Sequence, residues 1–205
     1  MDKPAHTDQQ LHPLIRDRWS PRAFSCQPIE DTALYSLLEA ARWAPSCFNE
    51  QPWRFVVASR QDEAAFGKLL SCLNESNRRW AQRAGVLVLA TASKSFARNG
   101  KPNRHALHDL GLAVAQLSIQ ATALGLRVHQ MAGFSIERVR ELYGIPDAFD
   151  PVTVIAIGYP GVPDDLPEDL RDRETQQRER KPLAEIAFVG VWDQPMPALV
   201  TKGEK

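Results

Sequence analysis

The side chains with chemical reach fall in short clusters. In Arg18-Trp19-Ser20-Pro21-Arg22, an extended backbone would send Arg18, Ser20 and Arg22 to one side, because successive side chains alternate across a strand. Two guanidinia and a hydroxyl suit a phosphate or a polar ring edge, since arginine donates in a planar fork and keeps its charge. A solvated surface strand has the same composition, and this pattern alone does not separate the two. In Pro45-Ser46-Cys47-Phe48-Asn49-Glu50-Gln51-Pro52, Pro45 limits the preceding helix at Ala44, and Pro52 removes a donor just before a β-branched run. Between them Ser46, Asn49 and Gln51 offer donors and acceptors, while Phe48 and the adjoining Trp53 add apolar area. Such a turn suits a planar, polar-edged ligand; it also suits an ordinary helix-to-strand loop. The run Arg178-Glu179-Arg180-Lys181 is a further basic cluster, or simply solvated charge.

Other chemistries lack their patterns. His6, His12, His105, His108 and His129 form no HExxH, and Cys26, Cys47 and Cys72 have no partner at zinc-ligand spacing. No GxSxG, GxGxxG or GxxxxGK[ST] is present, which disfavours a serine hydrolase, a Rossmann site and a P-loop. The 25 Lys and Arg balance 25 Asp and Glu, so no global field points to nucleic acid or an anionic membrane. An odd number of cysteines without a CxxC pair argues for a reducing cytosol. The first ten residues hold no apolar signal core, and no run of about 18 apolar residues occurs. A cytoplasmic protein is expected.

The elements that must position these clusters read as follows. At 205 residues the chain fits one domain, or one protomer of an intertwined dimer. Residues 1–12 read as a flexible arm, 13–192 as the domain with a Pro-rich, charged C-terminal arm from about 160, and 193–205 as a polar tail. Helices are expected over 31–43, 63–73, 78–84, 105–124 and from a Ser135 cap to Tyr143, with strands at 54–58, 86–90, 127–131, 152–158 and 185–192. Between Ser93 and Arg104 lies a polar, basic loop. In the 105–124 helix, Leu107, Leu110, Val114, Leu117, Ala121 and Leu124 form a heptad-like seam, with Leu112 and Ile119 apolar elsewhere. A dimer interface and a central core helix both account for that excess of apolar surface.

Taken in order, these pieces resemble the nitroreductase family of flavin enzymes. The resemblance rests on Arg18-x-Ser20-x-Arg22; on Ala41-Arg42-x-Ala44-Pro45-Ser46-x-x-Asn49-x-Gln51-Pro52-Trp53; on Asp109-x-Gly111 leading to Ala123-Leu124-Gly125-Leu126; and on Gly133-Phe134 and Ile157-Gly158-Tyr159-Pro160. It spans roughly residues 12 to 192. It implies an α+β, three-layer fold with a central, mostly antiparallel sheet flanked by helices, an intertwined homodimer, and an FMN at each of two sites built from both subunits.

By the same resemblance Arg18 and Ser20 would hold the FMN phosphate and ribityl chain, Trp19 would contribute backbone, and Arg22 would face the pyrimidine edge of the flavin. Pro45, Ser46, Cys47 and Asn49 would come from the other subunit. Met131, Ala132 and Gly133 would lie along the ring, and one of Arg178, Arg180 and Lys181 would return to the phosphate. FMN would carry the hydride, taken from NADH or NADPH and passed in a ping-pong scheme to a nitroaromatic, quinone or other small oxidant. Relatives of this fold also run flavin-dependent dehydrogenation, dehalogenation or flavin breakdown, which stand as alternatives. A dimeric binding module using Lys94, Arg98, Lys101 and Arg104 is the remaining one. Two departures from the family pattern stand out: Ala132 replaces an acidic residue, and Cys47 replaces a small serine.

Overall fold

The computed structural model describes residues 3–197. Residues 1–2 of the expected arm and 198–205 of the expected tail lie outside them. The continuous apolar runs become strands β1 (Trp53–Ser59), β2 (Val86–Ser93), β3 (Arg127–Met131) and β4 (Phe149–Gly158). They pair antiparallel throughout, in the order β1-β2-β4-β3. The β2–β4 register shifts between Ala90 and Thr91, opposite Pro151. Proline has no N–H to give the ladder, so a bulge there is the expected accommodation.

Helices cover both faces. α1 (Pro13–Asp17), which sequence reading passes over, is a single turn opened by His12; α2 (Asp31–Arg42), α3 (Glu63–Leu70), α4 (Glu75–Ala81), α5 (Ala106–Ala123), α6 (Ile136–Tyr143) and α7 (Glu168–Thr175) follow. Strand alternation sorts the core into two layers. Val86, Val88, Ala90, Ile155 and Ile157 pack with Leu37 and Ala41 of α2 and with Leu110, Val114, Leu117 and Ala121 of α5. Leu87, Leu89, Val154 and Ala156 face the other way, onto Phe66 and Leu69 of α3, Trp80 of α4 and Val139 of α6. This is the three-layer α+β arrangement. The α5 seam therefore faces the sheet and α2. Its ends do not: Leu107 is 58% exposed and Leu124 40%.

The C-terminal arm departs from the sequence reading. Within the stretch read as lacking periodicity, α7 forms, burying Leu170 and Glu174 while Leu166 is buried just before it. The strand expected over 185–192 is absent. A turn of 3-10 helix at Leu183–Glu185 is followed by a tight hairpin with Phe188 bridged to Pro195. Left-handed Gly190 (φ 76°) and Asp193 (φ 66°) reverse the chain before a strand can extend.

Candidate functional site

The Arg18–Arg22 segment leaves α1 through an extended Arg18, and the C-terminal arm folds back over it. Between them is a pocket of about 250 Å³ lined by Lys3, Arg18, Trp19, Ser20, Arg22, Arg173, Glu174, Gln176, Gln177, Arg178 and Arg180. Arg18 reaches toward Ser20, Nη1 to Oγ 3.4 Å. Arg178 donates to the Lys3 and Arg16 carbonyls at 2.7 and 3.0 Å, which ties the arm to the N-terminal segment. Lys3 lies over the Trp19 ring, 4.9 Å from its centre. Trp19 is buried and its indole N–H has no partner among the described residues. Burial and the neighbouring Arg180 hold Arg18 below the ordinary guanidinium range; burial, Arg18 and Arg180 do the same to Arg178, and burial is the main cause for Lys3. Burial leads in each case, and the neighbouring guanidinia add to it.

Sequence reading did not find the acid in this pocket. Glu174 is 2% exposed, and its carboxylate accepts the Arg22 N–H at 2.9 and 3.0 Å and the Ala23 N–H at 3.0 Å. The available signal was the stripe Leu166, Leu170, Glu174, spaced four apart across Pro167.

Under the same segment His129 of β3 meets the Pro21 carbonyl through Nδ1 at 2.8 Å, with the Trp80 ring 4.5 Å away. Burial first, with Arg22 nearby, carries its pKa from an ordinary 6.5 down to about 4, against the pull of the Pro21 carbonyl. Above pH 6.5 both folded and unfolded chains leave this ring neutral. As pH falls from 6.5 toward 4, only the unfolded chain takes the proton, so stability is lost over that window. By pH 5 this residue alone is expected to cost about 2 kcal/mol relative to pH 8. Urea denaturation at the two pH values checks it: His129→Gln should flatten the pH slope by that amount, and an unchanged slope would refute it.

The Pro45–Pro52 turn lies apart from this pocket, and no residue of 45–49 lines it. Phe48, Asn49 and Gln51 all take left-handed backbone (φ 55°, 57° and 51°), strained for residues with a side chain. Side-chain bonds help hold the turn: buried Asp109 of α5 accepts the Cys47 N–H at 2.9 Å, and Ser46 Oγ accepts the Gln51 N–H at 3.0 Å. The Ser93–Arg104 loop braces it from outside, with Glu50 accepting the Ala97 N–H at 2.6 Å and Arg98 stacked 3.9 Å over Phe48. Lys94 of that loop pairs with Asp150 at 3.1 Å.

At the end of β3, Met131 is buried in the core, and its carbonyl accepts the Thr153 hydroxyl at 3.1 Å. Asn74 and Asn77, which sequence reading left unassigned, meet Gly133: the Asn74 N–H and the Asn77 amide both donate to its carbonyl at 3.1 Å. A Cβ at Gly133 would sit 2.8 Å from the Asn77 amide nitrogen, so a larger residue there would have to displace the asparagine side chains. Ala132 is exposed. Lys181 does not line the basic pocket and pairs instead with Glu185 at 3.9 Å.

Fold and site together define a three-layer α+β protein with a basic pocket at one side of an antiparallel sheet. Sequence comparison makes the assignment specific: the model of the Nitroreductase family matches residues 15–159, and the chain belongs to that family. An NADH dehydrogenase of Thermus thermophilus is 31% identical over 176 residues, covering 70% of this chain and 83% of its own. A solved structure described as an oxidoreductase containing FMN is 37% identical with a TM-score of 0.87, covering 92% of this chain and 96% of its own. A nitroreductase family protein from Clostridium difficile 630 is 26% identical with a TM-score of 0.67, covering 87% and 96%. No helix among the described residues is long and apolar enough to cross a membrane.

Proposed function

We infer that the protein is an FMN-dependent oxidoreductase that works as a homodimer, drawing hydride from NADH or NADPH and reducing a nitroaromatic, quinone or other small oxidant. The observation that carries this reading is the pocket in which Arg18, Ser20, Arg22, Arg178 and Arg180 converge. Its chemistry fits a phosphate-bearing group: neighbouring cations, two of them held low chiefly by burial, a serine hydroxyl, and a buried indole N–H without an acceptor among the described residues. The FMN and NADH in the names of similar proteins support the same choice.

Arg18, Ser20, Arg178 and Arg180 would hold the phosphate end, with Trp19 contributing backbone. Arg22 would meet the pyrimidine edge, where a fixed cation favours the charge of the reduced ring. The backbone of Met131, Ala132 and Gly133 would line the ring. FMN supplies the two-electron chemistry itself, in a ping-pong exchange between nicotinamide and oxidant. Pro45, Ser46, Cys47 and Asn49 would serve the neighbour's flavin, since within one chain none of them lines the pocket. Exposed Tyr35 and Trp43, each 71%, and the open face of α5 at Leu107, Gly111 and Ala115 support a covering second copy. Three unpaired cysteines, Cys26, Cys47 and Cys72, are in keeping with a reducing cytosol.

The visible spectrum of the purified protein, followed by anaerobic titration with NADH and NADPH, tests this. The expected result is a yellow protein whose flavin band bleaches with at least one nucleotide. A colourless protein whose melting temperature ignores added FMN would sink it.

A further inference from the structure

An anion-seeking pocket is an odd place for a carboxylate, and Glu174 is the one acid among the residues that line it. We propose that Glu174 is a positioning residue for cofactor capture: it fills the backbone concavity at Arg22 and Ala23 and thereby fixes Arg22 and the Arg178–Arg180 arm about one phosphate site. The inference rests on the flavin reading above and goes beyond it by assigning this acid.

The geometry is specific. Two successive N–H groups, of Arg22 and Ala23, converge on the carboxylate with three contacts of 2.9 to 3.0 Å. Successive backbone N–H groups turned to one point form a natural anion seat. Here the chain's own side chain takes that seat, which keeps a ligand anion from settling there and leaves the guanidinia outside it as the receptor. The Glu174 carbonyl in turn accepts Lys3 Nζ at 2.7 Å, and Arg178 returns to the Lys3 carbonyl at 2.7 Å. One residue thus joins α7, the Arg18–Arg22 segment and the N-terminal segment around the pocket. Ion pairs Arg79–Asp169 and Arg83–Asp165 also fasten the arm, but they are exposed and touch none of the pocket arginines.

The sign of the effect separates positioning from simple charge. By Coulomb's law alone, removing a carboxylate beside a phosphate site tightens phosphate binding. Positioning predicts the reverse. Glu174→Gln keeps the shape, yet its amide nitrogen cannot accept a backbone N–H, so one of the converging bonds is lost. The dissociation constants of FMN and of riboflavin, which lacks the phosphate, are measured by flavin fluorescence on the apoprotein for wild type, Glu174→Gln and Glu174→Asp. The expected result is about tenfold weaker FMN binding in Glu174→Gln, little change for riboflavin, and partial recovery in Glu174→Asp. A role confined to stability would lower the melting temperature without altering the FMN-to-riboflavin ratio.

Wild type that binds no FMN overturns the flavin reading and this inference with it. Wild type that binds FMN, beside a Glu174→Gln variant that binds it equally or more tightly, overturns the role of Glu174 alone. Should the variants fail to fold, hydrogen exchange on the wild type decides. The Arg22 and Ala23 amides should be protected and further slowed by FMN; exchange at the rate of free loop amides overturns the proposal.

Discussion

Replacing Arg18 with alanine is expected to weaken FMN binding by about a hundredfold, the loss of one to two charge-assisted hydrogen bonds at roughly 1.5–3 kcal/mol each. Arg18 is a pocket cation with little structural employment. Its side chain makes one long contact, 3.4 Å to Ser20, while Arg178 is committed to two carbonyls. Burial and Arg180 both weigh against its charge, so the apoprotein gains nothing from it that the fold requires. The melting temperature without ligand should therefore hold or rise in Arg18→Ala, because repulsion with Arg178 and Arg180 is relieved. Arg18→Lys keeps the charge and loses the planar fork, and should fall between the two. Flavin fluorescence titration of apoprotein, with riboflavin as the phosphate-free control, reads the effect. Equal FMN affinity in wild type and Arg18→Ala would remove the phosphate from this pocket.

The largest effect on stability is expected at Trp80. It is among the largest fully buried side chains, 1% exposed, with Phe24 stacked 6.2 Å from it on one side and His129 at 4.5 Å. Trp80→Ala removes that area and opens a cavity in a layer that cannot close around it, at a cost of about 3–5 kcal/mol. For a chain of this size that lowers the melting temperature by roughly 6–20 °C. The damage should travel. His129, freed from the indole, loses the packing that orients Nδ1 toward Pro21, and Pro21 sits between Ser20 and Arg22. FMN affinity should fall in Trp80→Ala even though Trp80 does not line the pocket. Trp80→Phe, which keeps most of the apolar volume, should recover the larger part of both losses. Thermal denaturation of both variants checks the ranking, and a drop of under about 2 °C in Trp80→Ala would refute it.

Much of this fold was legible in the chain. Val86–Ala90 and Val152–Gly158 are apolar on both faces because helices cover both faces of the sheet, and that pattern admits little else. Ser135 was legible as a cap and accepts the Arg138 N–H at 3.1 Å. The seam of α5 was legible as buried, but not what it was buried against. Leu110, Val114 and Leu117 would read the same facing a sheet or a second copy. The arm was misread in both directions. α7 is too polar for its one apolar stripe to stand out. The 185–192 run has strand-like residues but joins no strand of the sheet among the described residues, and Ile186, Val191 and Trp192 remain exposed. Residue preference proposes a strand; only a partner ladder makes one.

The candidate site divides along the same line. Residue chemistry by itself determined what the clusters can bind: forked cations beside a hydroxyl in Arg18–Arg22, a polar turn between two prolines, and further cations at Arg178–Arg180. Their order along the chain determined the family. Which clusters meet was decided only by tertiary structure. Arg18 and Arg178 share a pocket because Glu174, far along the chain, reaches the Arg22 and Ala23 amides, and because α7 has Leu166 and Leu170 to bury. Lys181, adjacent to Arg180 in sequence, is turned away toward Glu185. A side chain's chemistry is local and travels with its residue. Its position depends on bonds and burial contributed by segments that no local pattern names.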